Sequence, residues 1–234
     1  MKSWLLNTID PILHLAFPHV CEGCGSDVID KHHMLCLRCL DSLPYTHFEN
    51  LQENLIEKIF WGRLPVTAAS AQLYFTKESL VQRLINSFKY KGNKDLGIYL
   101  GKLMGKQLKA SGRFSTVNAL VPLPLFPSKE KKRGFNQAKI LCDGIGEIMK
   151  IPVVTRSVIR NEHTDSQTKK SRVERWQNME GKFEVADLNA ITNKHILLVD
   201  DVITTGATLE ACGREMVSLK NTEISLATLC FSSH

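Results

Sequence analysis

The apolar positions change period along the chain, and the changes predict its elements. HILLVD, residues 195–200, places four apolar residues in a row with no polar position to face water, the mark of a strand buried on both faces. EISLATLCF near the end reads as a second such strand, and NALVPLPL as a short buried strand stopped by its prolines. VTAASAQLYF reads as a strand pair or one long strand, and residues 151–154 begin another. Between these, the period lengthens. SLVQRLINSFKYKG puts Leu80, Leu84, Ile85 and Phe88 on one helical face, and Gly92 ends it. Residues 95–108 continue as a second helix in which Gly97, Gly101 and Gly105 recur every fourth position, a spacing that suits close packing against a neighbour. FNQAKILCDGIGEIMK and residues 208–219 are helical, and a short helix falls near 55–60. Strands alternating with helices predict an α/β fold with a mostly parallel central sheet flanked by helices.

Composition narrows this picture modestly. With 234 residues, 43% of them hydrophobic, the chain suffices for one domain and a small extra module. Charged residues at 23% argue against general disorder. A net charge of +6 suits phosphate-rich ligands or nucleic acid without proving either. No stretch approaches the ~20 apolar residues of a membrane span. The start, MKSWLLNTIDPILHLAFPHV, is interrupted by Asn7, Asp10, Pro11 and His14, and reads as a short helix packing on its own protein rather than a signal peptide. That reading implies the cytoplasm, where disulfides are rare.

Four of the seven cysteines fall into two C-x2-C pairs, Cys21/Cys24 in CEGC and Cys36/Cys39 in CLRC. Such a turn lets two thiolates reach one ion, and four thiolates make the tetrahedral set of a structural Zn2+. Two disulfides or four free thiols are the alternatives, and the compartment argument favours zinc. His32 and His33 lie between the pairs, but four thiolates make them unnecessary. Cys142, Cys212 and Cys230 sit among apolar neighbours and read as core. A closed four-cysteine site has no open position, so its expected role is folding.

The most informative stretch is ILLVDDVITTGAT, residues 196–208. Ligands of an open parallel sheet sit beyond the carboxyl ends of its strands, where Asp200 and Asp201 fall. The following loop runs into a helix, whose first N–H groups and dipole attract phosphate. Gly206 allows close backbone approach, and Thr204, Thr205 and Thr208 offer hydroxyl donors. Carboxylates repel phosphate, but they accept hydrogen bonds from a diol or hold a divalent cation through water. One ligand with a sugar diol and a phosphate satisfies all of this.

These residues resemble the phosphoribosyl-diphosphate (PRPP) signature of type I phosphoribosyltransferases. With FPHVCEGCG and its second cysteine pair, FKYKG, VPLP…KKRGFNQA and TDSQTKKSRVERWQN, nearly the whole chain resembles the ComF family. Lys169 and Lys170 stand where such proteins usually have a leucine. The resemblance implies a type I phosphoribosyltransferase fold with a small N-terminal zinc-binding module. It assigns the ribose hydroxyls to Asp200 and Asp201 as the catalytic pair. The 5′-phosphate goes to Thr204, Thr205, Gly206, Ala207 and Thr208, and diphosphate to Arg133. Gln167, Arg172, Arg175 and Asn178 fall on a flexible hood over PRPP, with salt bridges to Glu174 or Glu180 as the alternative use of its arginines. Lys89 and Tyr90 are candidates for the same site, whereas Lys129, Lys131 and Lys132 read as a solvated basic face. Asn136 and Gln137 open a helix and fit a capping role. Implied cofactors are structural Zn2+ and Mg2+ with PRPP.

The expected organisation is residues 1–45 as N-terminal helix and zinc module, 46–65 as connector, and 66–234 as the phosphoribosyltransferase-like domain. Two functions follow from the resemblance. One is a PRPP-binding phosphoribosyltransferase of unknown acceptor, linked to natural competence. The other is a non-catalytic factor handling single-stranded DNA beside DNA-uptake proteins, its PRPP pocket regulatory or vestigial. No His or Glu stands out as the general base, so the acceptor is not legible.

Overall fold

The computed structural model describes residues 19–30, 33–90, 92–161 and 183–232. Four strands form one parallel sheet in the order β1 (Ala69–Tyr74), β6 (Glu223–Phe231), β5 (His195–Ile203) and β2 (Ala119–Pro122). The region 66–75 therefore holds one strand, Ala69–Tyr74, and not a pair. Residues 151–154 contribute only an isolated parallel bridge from Val153 to Leu120, short of a strand. Each crossover carries helices: α3 (Leu80–Tyr90) and α4 (Lys94–Ser111), then α5 (Pro127–Arg133) and α6 (Gln137–Met149), then α8 (Ala207–Val217). A chain of parallel strands needs such covered crossovers, which bury both sheet faces.

The unbroken apolar run in β5 follows from this. Leu197 and Val199 join one core with Leu84, Phe88, Leu100 and Leu141; Ile196 and Leu198 join another with Ile56, Phe60, Leu209 and Met216. Successive strand residues point to opposite faces, so both parities must be apolar. The second core draws on α2 (Leu55–Phe60) and the 3-10 turn Phe48–Asn50, whose Phe48 is buried. Asn54 caps α2 by accepting from the N–H groups of Ile56 and Glu57, and its own amide donates to Ala69 O on β1 at 2.8 Å.

The four-residue glycine spacing in α4 is answered by α6. A Cβ on Gly101 would lie 2.4 Å from the Leu141 carbonyl oxygen, and one on Gly144 would lie 2.3 Å from the Ile98 carbonyl oxygen. The two backbones touch, and no side chain larger than hydrogen fits between them.

Outside the main sheet, β3 (Val158–Arg160) pairs antiparallel with β4 (Phe183–Val185), followed by the short helix α7 (Leu188–Ile191). This pair encloses the long polar stretch in sequence. The hood positions Gln167, Arg172, Arg175 and Asn178 lie outside the described residues, as does the expected N-terminal helix. The first helix described, α1 (Leu37–Asp41), begins inside the second cysteine pair.

Candidate functional site

The strand parity that builds the two cores also separates the two acids. Asp201 follows Val199 toward the α3 face, and its Oδ2 is paired with Lys89 Nζ at 2.7 Å. Asp200 points to the α8 face, where its charge raises the Cys212 thiol pKa further after burial has done most of the work. The N–H of Asp201 donates to Asp200 Oδ1 at 2.8 Å. Burial pushes the Asp200 pKa up from 3.8 to about 8, and neighbouring Asp201 pushes the same way. The Asp201 N–H, Lys89 and Arg160 oppose the shift without overcoming it. Burial and the adjacent carboxylate thus favour the neutral form of Asp200, which can both donate and accept, while Asp201 is held by Lys89.

The chain then turns at Gly206, which has φ +73 and serves as the N-cap of α8. Glycine is required twice over. The left-handed backbone disfavours a side chain, and a Cβ would come within 2.8 Å of the Phe60 ring and 2.9 Å of Ile59 Cγ2. Asp200, Thr204, Thr205, Gly206, Ala207 and Thr208 line one small recess together with neighbouring apolar atoms. Thr204 and Thr205 are exposed to an incoming ligand. Arg63 fixes the loop from behind, donating from Nη1 to Thr205 O at 3.1 Å and from Nε to Glu210 Oε2 at 2.9 Å. Glu210 lies in the first turn of α8, where its charge would repel phosphate; Arg63 and Arg214 pair with it there.

The four paired cysteines also converge. The Sγ atoms of Cys21, Cys24, Cys36 and Cys39 lie within 4.8 Å of one another, with Cys24 and Cys36 at 3.7 Å. Thiolates at about 2.3 Å from a tetrahedral zinc stand about 3.8 Å apart, so the donor set fits Zn2+. Cys21 Sγ accepts from the N–H groups of Gly23 (3.4 Å) and Cys36 (3.3 Å). Burial alone would raise the Cys21 pKa, but backbone N–H groups at Cys36, Cys24 and Gly23 bring it down to about 6, while burial and the neighbouring thiols push Cys39 up, as expected of one crowded set sharing its protons. Cys142, Cys212 and Cys230 are buried in the cores.

Residues 131–234 match the phosphoribosyl transferase domain family. Competence protein F of Haemophilus influenzae is 28% identical over 218 residues, covering 92% of this chain and 91% of that protein. DNA utilization protein YhgH of Escherichia coli K12 is 23% identical, over 90% of this chain and 83% of its own length. Competence protein ComFC of Bacillus subtilis is 30% identical, over 60% of this chain and 55% of its own. Over nine-tenths of its length the chain is thus similar to proteins named for competence and DNA utilization.

The fold is the type I phosphoribosyltransferase fold, a mostly parallel sheet flanked by helices with a four-cysteine cluster near the N-terminus. Among the described residues no helix is long and apolar enough to cross a membrane. Asp200 lines the recess of the loop, whereas Asp201 pairs with Lys89. Its neighbour Tyr90 is 72% exposed. Arg133 ends α5 and donates from Nη1 to Gln137 Oε1 at 2.9 Å, a link to the next helix. Asn136 caps α6 through the N–H groups of Ala138 and Lys139. Lys129, Lys131 and Lys132 are exposed, as a solvated face requires.

Two site-supporting residues escape a reading of the sequence. Arg63 lies in what reads as a connector, 142 positions before the Thr205 carbonyl it binds. Arg160 looks like the start of a polar stretch, yet its guanidinium lies 3.8 Å from the Phe126 ring centroid and 5.1 Å from that of Phe183. Burial lowers its pKa, and Asp200 opposes that. Its Nε is buried without a hydrogen-bond partner among the described residues. Phe126 and Phe183 are 57 positions apart in number, and no local pattern announces their meeting.

Proposed function

We propose that this chain binds PRPP with magnesium at the carboxyl end of β5, and acts as a phosphoribosyltransferase-like protein in natural competence and DNA uptake. One observation carries the reading: two adjacent acids, one bonded by a backbone N–H and the other paired with Lys89, stand immediately before the Gly206 turn and the N-terminus of α8. The recess would take a phosphate on backbone N–H groups and threonine hydroxyls, and the ribose diol is assigned to Asp200 and Asp201 at the end of β5. Magnesium, met by these carboxylates, would offset charge on a departing diphosphate. Arg133 is assigned to the diphosphate by its place after β2, and Gln167, Arg172, Arg175 and Asn178 to a cover over the ligand. On this reading residues 66–234 hold the site, residues 1–45 a structural zinc module, and residues 46–65 the connection.

The relatives' names, competence protein and DNA utilization protein, support the link to DNA. A non-catalytic role on single strands is the second reading. Competition binding tests the pocket, and oligonucleotide binding tests the second reading. PRPP with Mg2+ should bind tighter than either ribose 5-phosphate or diphosphate, and both fragments should displace it. If diphosphate binds as well as PRPP and ribose 5-phosphate does not compete, the ribose–phosphate assignment is wrong. Oligonucleotide affinity with a steep inverse dependence on salt would favour the DNA role, because each phosphate contact releases counterions.

A further inference from the structure

The first cysteine turn is anchored to the phosphoribosyltransferase sheet through one helix. A Cβ on Gly23 would lie 2.8 Å from Leu80 Cδ1 and 2.9 Å from Cys39 Sγ, so turn, partner thiol and α3 meet at that point. Arg83 Nη2 donates to Gly23 O at 3.3 Å. Glu22, between the Cys21 and Cys24 thiols in sequence, uses both its oxygens. Oε2 accepts from Ser87 Oγ on α3 at 3.1 Å, and Oε1 accepts from Asn93 Nδ2 at 2.8 Å. Asn93 is also the N-cap of α4, accepting from Leu96 N–H.

Leu80, Arg83 and Ser87 follow helical spacing on one face of α3. Lys89 lies two positions beyond Ser87, on the opposite face, and its Nζ is held by Asp201. Helix α3 thus touches the cysteine turn on one side and the acid pair on the other. Glu22 ties down its final turn, the one that carries Lys89. Metal bound by the four thiolates would fix the Cys21–Cys24 turn, and with it the Glu22 carboxylate.

We propose that Glu22 is a positioning residue that couples the cysteine-held metal turn to the ribose-phosphate pocket, acting through α3 on Lys89 and Asp201. The proposal rests on the PRPP reading of that pocket for its ligand, but not for its internal coupling. Loss of the Glu22 bonds frees the α3–α4 junction, and Lys89 no longer holds Asp201 in one place. A coupling of this kind weakens ligand binding by roughly five- to thirtyfold.

The test compares the zinc-loaded full chain with Glu22→Gln, Lys89→Met and the double variant. Three properties are measured: bound zinc, ligand-free hydrogen exchange over residues 86–96, and PRPP–Mg2+ affinity. Glu22→Gln should keep its zinc, exchange faster across 86–96, and bind PRPP roughly five- to thirtyfold more weakly. In the Lys89→Met background the same change should add little, because the route has already been cut. Fully additive losses would overturn the route through Lys89, and unchanged exchange with zinc retained would overturn the coupling itself. If Glu22→Gln loses zinc, Ser87→Ala breaks the same link without touching the cysteine turn, and the same outcomes apply. If the parent protein does not bind PRPP, the pocket reading fails, and exchange alone decides the coupling.

Discussion

Asp200→Asn should make the ligand-free protein more stable, and increasingly so as pH rises. The carboxyl has a folded-state pKa of about 8 against an ordinary 3.8. An acid whose folded pKa is raised binds its proton more tightly in the fold than in the unfolded chain. Folding is therefore opposed progressively as pH climbs from about 4 to about 8, and the full cost stands above that window. At pH 7 the linkage integral for those two values is on the order of 4 kcal/mol. Water reaching the partly exposed side chain screens this to roughly 1–3 kcal/mol. Asparagine keeps an oxygen to accept the Asp201 N–H and removes the ionisation. For a chain of this size each kcal/mol moves Tm by about 2–4 °C, so the variant should melt several degrees higher at pH 8. The assay is thermal unfolding of both proteins from pH 4.5 to 9, read as the difference in Tm. That difference should be small at the acid end and grow until about pH 8. A constant difference, or a variant that melts lower at pH 8, would refute the argument that Asp200 is held protonated by its surroundings.

Gly206→Ala should cost about 2–4 kcal/mol, since it combines a left-handed backbone with a Cβ driven against Phe60 and Ile59; chemical denaturation measures it, and a near-neutral effect would mean the loop moves freely away from α2. Stripping the metal with a chelator should release the Cys21–Cys39 segment and expose Leu35 within it and Leu43 just beyond it, both buried in the same core; a near-native spectrum and unchanged proteolysis there would contradict a folding role. His195 is buried between Thr116 and Ser225, and burial lowers its pKa while Glu223 partly opposes this. Its contribution to stability is present above about pH 6.5 and lost as pH falls below that value, where the unfolded chain protonates first; His195→Gln should flatten that acid limb, and an unaltered limb would refute the assignment.

How much was legible depends on the range of the signal. β5, β6, α3, α4 and α6 follow from local period, and the cysteine pairs and the acid–loop motif from local spacing. The α4 glycines announced a close contact, though not that α6 would supply it. Residues 151–154 misled because an apolar run of four fits a strand, yet only Val153 finds a ladder partner. Phe48 and Phe60 looked like parts of a connector because their core lies under a strand far along the chain. Arg63 and Arg160 were invisible for the same reason: their partners are assembled by topology. The raised pKa of Asp200 also needs the burial and the adjacent charge that only the folded sheet brings.

The most direct measurement is calorimetric titration of PRPP with Mg2+ into the zinc-loaded protein, beside Asp200→Asn. The parent chain should bind saturably at one site. Binding should be lost in the folded, higher-melting variant, because an amide cannot give up a proton to become the carboxylate that Mg2+ with PRPP draws. Equal binding by both proteins, or none by the parent, would contradict the claim that the acid pair at the end of β5 holds a phosphorylated ribose.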